Sequence, residues 1–274
     1  MGSYCQLELG GQVIHWCKNS VDPVMMSIFT SLDRMYKYEK ASQLYPEDFD
    51  EGDDTTYAVC KYQSSVSVVK KRLNILGFSL SECEKELKKG IDYELTLYEE
   101  YLADNKEGNT LFDVYSGYKE VLSVASIKSF VTAYKTIFEH SDDILNIKAE
   151  FGEYKGLHSY ISDSVNEYAL GIPVEDLRFS FRILLECFDV DDLVELDVSD
   201  LVASGWYEYT EDLVELSRQQ LTENYHYDSK IIILTEGSSD KHILEKSLAI
   251  LYPEFQSYYT FMDFGISKAS GGAS

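Results

Sequence analysis

The chain has 274 residues and carries 24 Lys and Arg against 48 Asp and Glu, a formal charge of −24 at pH 7. A surface that acidic repels phosphate backbones, which excludes most of the chain as a non-specific grip on nucleic acid. No apolar run approaches a membrane span, and the five cysteines, Cys5, Cys17, Cys60, Cys83 and Cys187, show no C-x-x-C spacing. These features point to reduced thiols, not a disulfide frame or zinc site, and to a cytoplasmic location.

The N-terminal residues give a hairpin: Tyr4–Leu9 and Gln12–Cys17 flank a Gly10-Gly11 turn with partial polar/apolar alternation. Asp22-Pro23 predicts the start of a helix running to about Glu39, with Met25, Ile28, Phe29, Leu32 and Met35 on one face. The acidic, apolar-poor stretch Pro46–Thr56 reads as a loop, and Tyr57–Lys61 as a short strand returning to the hairpin. Val66, Val69, Leu73 and Leu76 follow helical spacing. Ser81-x-x-Glu84 reads as a capping box before a long helix with Leu87, Ile91, Leu95, Tyr98 and Leu102 inward, which Asn105–Asn109 ends.

Residues 110–228 are expected to be mainly helical. Apolar faces recur at Tyr118, Val121, Leu122 and Ala125, at Phe130, Tyr134, Ile137 and Phe138, across Tyr154–Leu170, and within Pro173–Phe188. Leu193, Leu196, Val198 and Leu201 fit either a short strand or a helix. A further helix from Glu211 to about Tyr225 precedes the polar link His226-Tyr227-Asp228-Ser229. The 22 tyrosines, at helical spacing in an acidic chain, suit amphipathic core and rim better than base stacking.

The sharpest feature comes next. Ile231, Ile232, Ile233 and Leu234 read as a buried strand that runs into Glu236-Gly237-Ser238-Ser239-Asp240 and then a helix. Gly237 allows the reversal, Ser238 or Ser239 suits the helix cap, and Asp240 falls in the first turn, where the helix dipole favours it. Neither effect explains Glu236, which stands at the strand end where open α/β sheets bind ligands.

This strand–Glu–Gly–helix segment, with its E-G-x-x-D form, resembles the opening of a Toprim domain, the metal-dependent catalytic fold of topoisomerases, DnaG-type primases and nucleases of the overcoming-lysogenization-defect class. Met1-Gly2-Ser3-Tyr4-Cys5, the hairpin and Val21-Asp22-Pro23 resemble the N-terminal domain that precedes Toprim or HEPN domains in bacterial defence proteins. The implied fold class is an α+β N-terminal domain over residues 1–228, mostly helical with a small hairpin sheet, followed over residues 229–274 by an incomplete α/β, Rossmann-like Toprim domain. The implied activity is Mg²⁺-dependent hydrolysis of nucleic acid in antiviral defence, with Glu236 and Asp240 as catalytic residues and metal ligands. The N-terminal domain would regulate or bind a partner protein. The resemblance also implies a separate ATPase chain as a candidate partner, because no G-x-x-x-x-G-K-[ST] is present; homo-oligomerisation is left open.

The family's second strand ends in Asp-x-Asp. Downstream of Asp240 the acids are Glu245, Glu254 and Asp263, with no such pair before Ser274. The chain is therefore expected to stop inside its catalytic domain and to be inactive by itself. Asp53-Asp54 and Asp191-Asp192 lie too far upstream to substitute. HEPN ribonucleases space Arg and His by four to six residues, whereas Arg218 and His226 have seven between them. His15, His140 and His158 read as isolated, His242 and Lys241 as weak phosphate-contact candidates, and no G-x-S-x-G supports a serine triad. The charge offers a rival reading. Residues 231–274 hold three Lys and five acids, so about −22 lies on the first 230 residues, a surface suited to a basic protein partner or to mimicry of DNA charge.

Overall fold

A computed structural model describes residues 2–44, 54–105, 110–140, 156–165, 167–224 and 230–263. The hairpin forms as β1 (Tyr4–Leu9) and β2 (Gln12–Lys18), with Gly10 and Gly11 both at positive φ, 60° and 83°, in the turn. Glycine adopts that conformation without the Cβ clash that other residues meet. A bulge between Leu7 and Glu8 lets Ile14, an extra residue on β2, bury fully.

The sheet is larger than a hairpin. β3 (Arg34–Lys40), β4 (Thr56–Ser65) and β5 (Leu193–Asp197) complete a five-stranded sheet of order β2-β1-β5-β4-β3, with every neighbouring pair antiparallel. β5 lies between β1 and β4, so β4 extends beyond Lys61 to Ser65 and meets β5 and β3, never the hairpin. Val194 and Leu196 of β5 point into the core, while Glu195 and Asp197 face Lys61, whose Nζ lies 2.5 Å and 3.0 Å from their carboxylates. The ambiguous segment after Asp192 is thus both of the options that its pattern allowed: a strand, then the short helix Ser199–Ala203.

The long helix expected from Pro23 to Glu39 is absent. A single turn, α1 (Pro23–Met26), is followed by a 3-10 turn at Ser31–Asp33 and then by β3. Met25, Ile28 and Phe29 are buried, but Leu32, assigned to the same apolar face, is 70 % exposed. After α1 ends at Met26, Asp33 accepts hydrogen bonds from the Thr30 amide (2.6 Å) and hydroxyl (3.0 Å), closing the 3-10 turn that leads into β3. Residues 34–40 then pair along β4 over their whole length, a tertiary contact that outweighs local propensity.

The α-helices interleave with these strands along the chain. In chain order they are α2 (Ala41–Leu44), α3 (Val66–Ile75), α4 (Leu80–Asp104), α5 (Thr110–Ser123), α6 (Ile127–His140), α7 (Leu157–Ser164), α8 (Leu177–Leu184), α9 (Ser199–Ala203) and α10 (Leu213–Asn224). α8 runs through the core, burying Phe181, Ile183 and Leu184. The N-cap of α4 is Ser79, whose hydroxyl accepts from the Glu82 amide; the capping signal belongs two residues before the expected Ser81. Tyr98 stacks on Tyr115 at 5.0 Å and Tyr118 meets Tyr160 edge-on at 5.5 Å, so these tyrosines serve the α4–α5–α7 contact. No single helix among the described residues is long and apolar enough to cross a membrane.

After α10 the fold changes type. β6 (Ile231–Thr235), α11 (Ser238–Leu251) and β7 (Tyr259–Asp263) form a β–α–β unit whose two strands are parallel. The strand is not buried as expected: Ile232 is 62 % exposed and Ile231 and Leu234 are also open. The unit meets the larger body through Tyr258, which is buried and donates to the Ser27 carbonyl (3.1 Å). Arg218 of α10 donates to Ser257 Oγ (2.9 Å) and lies over the Tyr258 ring at 5.1 Å.

One close approach is testable. Gly90, in the middle of α4, leaves room for the backbone of Pro173: a Cβ there would stand 1.6 Å from the Pro173 carbonyl oxygen. Gly90→Ala is expected to destabilise the protein by about 1–3 kcal/mol in urea unfolding, although alanine favours a helix by about 1 kcal/mol. A stabilised variant would contradict this packing.

Candidate active-site edge and a histidine cluster

Thr235 ends β6 and is buried, with Oγ1 within hydrogen-bond reach of the carbonyl oxygens of Gly237 (3.1 Å) and Met262 (3.2 Å). It ties the turn after β6 to β7. Glu236 follows, exposed at the strand end, and Gly237 is the N-cap of α11 without any side-chain cap bond, so neither Ser238 nor Ser239 caps the helix. Asp240 lies in the first turn of α11, also exposed, with Oδ2 3.9 Å from where a Gly237 Cβ would stand. The two residues singled out in the sequence therefore share the C-terminal edge of the parallel strands. Asp263, the last residue of β7, pairs with Thr235 and brings a third carboxylate residue to that edge.

The edge is open. Among the described residues these three acids do not gather their oxygens within 4.8 Å of one another. Their donor chemistry suits Mg²⁺, a hard cation that takes oxygen ligands and keeps several waters. Two or three separated carboxylates fit a water-rich single ion, not a closed two-metal centre. The upstream acids are engaged elsewhere: Asp54 pairs with Lys40 (2.8 Å) and Asp192 accepts from the Asp189 amide (2.8 Å), while Asp53 lies outside the described residues. His226 and the side chain of His140 also lie outside them, and Arg218 is committed to Ser257 and Tyr258. His242 is exposed on α11 and Lys241 half-buried.

His15 is not isolated. Its Nε2 lies 3.2 Å from Asp22 Oδ2 and 3.8 Å from Cys17 Sγ. Asp22 reaches it from the cap of α1, where Oδ1 accepts from the Val24 amide (2.8 Å). Burial lowers the basicity of His15, but the Asp22 hydrogen bond, assisted by Cys17, outweighs it and lifts the pKa to about 9. For Asp22, burial would raise the carboxyl, yet His15 and the Val24 amide hold it below its ordinary value. Spacing could not reveal this group, because the turn through Asn19, at φ 60°, folds Asp22 back beside β2.

Residues 1–221 match the family model for HEPN/Toprim N-terminal domain 1. The chain belongs to the HEPN/Toprim N-terminal domain family. No curated protein and no solved structure matches it. The HEPN/Toprim N-terminal domain thus takes in the five-stranded sheet and its helices, with its matched span ending inside α10, before the β6–α11–β7 unit.

The His15–Asp22 pair makes a prediction with a definite sign. The folded pKa exceeds the ordinary value of 6.5, so the stabilisation is fully present below pH 6.5 and is lost as pH rises through about 9. In protein stripped of metal ions, NMR titration of the His15 ring should show a midpoint near 9, and Asp22→Asn should bring it to 6.5 or lower. An unchanged midpoint in Asp22→Asn would contradict the assignment.

Proposed function

We propose that this chain carries the regulatory or recognition domain of a bacterial antiviral effector, joined to the first β–α–β unit of a Toprim domain that hydrolyses nucleic acid with Mg²⁺. The observation that carries the reading is the placement of Glu236 and Asp240 at the C-terminal edge of a parallel β–α–β unit that directly follows a HEPN/Toprim N-terminal domain. Two further features support it. Open α/β sheets bind ligands at that edge, and the apolar side chains exposed on β6 and α11, among them Ile232, Leu234, Ile243 and Ile250, are those of a sheet that pairs and packs further.

In this reading Glu236 and Asp240 would hold Mg²⁺, with Asp263 supporting them from β7. When bound, the ion stabilises charge on the phosphate and favours ionisation of a water. Glu236 would also take or return a proton at the reacting water. Thr235 fixes the turn that presents Glu236, and α11 directs the positive end of its dipole toward an incoming phosphate. The acidic N-terminal domain disfavours nucleic acid by charge, so its task would be control, or contact with a protein partner such as an ATPase chain, in the cytoplasm.

A second reading has its own support, the −24 charge together with the dispersed carboxylates of the edge: an interaction module that binds a basic protein, with Glu236 serving only as a helix-proximal acid. One experiment separates the two. The complete gene product that contains this chain, assayed on DNA and RNA, should show Mg²⁺-dependent cleavage that Glu236→Gln lowers by about 100-fold or more. Equal activity of Glu236→Gln and the parent would remove Glu236 from the chemistry. Absence of cleavage together with salt-sensitive binding to a basic partner would favour the module.

A further inference from the structure

We propose that His15, Cys17 and Asp22 form a binding site for a divalent transition metal of the zinc class, with water as the fourth ligand. The inference is independent of any activity at the β6–β7 edge, which offers only oxygen donors. His15 and Cys17 are alternate residues of β2 and so share a face, and Cys5 of β1 stands opposite Cys17 in the ladder. The Cys5 thiol donates to the Ser20 carbonyl (3.4 Å), and Cys17 is left to face His15. Asp22 enters from the cap of α1. Its Oδ1 is held by the Val24 amide, which leaves Oδ2 directed at His15.

The way the donors converge separates this group from a nucleophilic triad. A Cys–His–Asp relay places thiol and carboxylate on opposite ring nitrogens, so that one proton can pass while the other is held. Here Asp22 Oδ2 and Cys17 Sγ both approach the same nitrogen, Nε2, at 3.2 Å and 3.8 Å. A single ion bound to Nε2 can sit among all three groups. The ligand atoms of His15, Cys17 and Asp22 lie within 4.8 Å of one another. Tetrahedral zinc, with bonds of about 2.0–2.3 Å, places nitrogen and oxygen ligands about 3.3 Å apart and nitrogen and sulfur about 3.6 Å apart. The observed separations already approach that geometry.

The donor chemistry selects the metal class. A thiol with an imidazole and one carboxylate suits zinc and is a poor donor set for magnesium or calcium. The side chains of His15 and Asp22 are 28 % and 20 % exposed, which gives the ion a way in. The Val24 amide on Asp22 supplies the outer hydrogen bond that such a site uses to orient its carboxylate. An ion here would staple the hairpin to the start of α1.

Cobalt titration of the intact, chelator-treated chain tests this. Wild type should show thiolate-to-cobalt charge-transfer absorption and tetrahedral ligand-field bands that saturate at one ion per chain, and zinc should displace the cobalt. Cys17→Ser and His15→Ala, with circular dichroism unchanged, should weaken binding by more than about 100-fold, beyond the loss of an outer-shell partner; Cys83→Ser should not. Absence of those bands in wild type would overturn the proposal, as would equal affinity in Cys17→Ser. So would a Cys5–Cys17 disulfide in the protein as isolated under reducing cell conditions, because it would show the pair to be a redox couple.

Discussion

Arg72 is completely buried, and its guanidinium is the point at which several segments of the molecule are joined. It pairs with Asp33 through both nitrogens, Nη1 to Oδ2 at 2.7 Å and Nη2 to Oδ1 at 3.1 Å. Nη1 also donates to the Ile28 carbonyl (3.2 Å) and Ser64 Oγ (3.3 Å), and Nη2 lies 3.5 Å from Thr30 Oγ1. A buried cation persists only when it is paired and hydrogen-bonded, and a bidentate carboxylate is its best partner. The demand of this one charge therefore fixes where Asp33 must be. Asp33 in turn gathers Thr30 into the 3-10 turn that launches β3. The strand edge, the α3 packing and the route of residues 27–34 all follow from it.

The same cluster lies beside the seat of the β–α–β unit. Tyr258 inserts next to Ser27, close enough to Arg72 and Arg218 for both to act on its hydroxyl, although burial is stronger and pushes its pKa to about 12. The unit that carries Glu236 and Asp240 is thus anchored on the segment that Arg72 organises.

Local signals were readable where local forces decide. The Gly10-Gly11 turn, the helical spacing of Val66–Leu73 and the strand–Glu–Gly–helix order all survive, because turn geometry and periodicity act over a few residues. β3 and β5 were obscure for the opposite reason. β5 acquires its strand character from β1 and β4, more than 120 residues away, and residues 34–40 become a strand only because β4 offers an edge. The capping serine was misplaced by two residues because Ser79-x-x-Glu82 and Ser81-x-x-Glu84 have the same pattern, and only the chain entering from Phe78 distinguishes them. At the candidate edge, Glu236 and Asp240 could be read from the sequence. Asp263 gains meaning only from its pairing with Thr235, and the His15 group only from the turn that returns Asp22 to β2.

The dependence of the fold on the Arg72–Asp33 pair is best measured by a double-mutant cycle in urea unfolding, with Arg72→Met, Asp33→Asn and the double variant. Each single change should cost about 3–5 kcal/mol, because it strands a buried charge. The double variant should lose less than the sum by about 2 kcal/mol or more. Additive losses, within about 0.5 kcal/mol, would mean that the two groups act independently and would contradict the account.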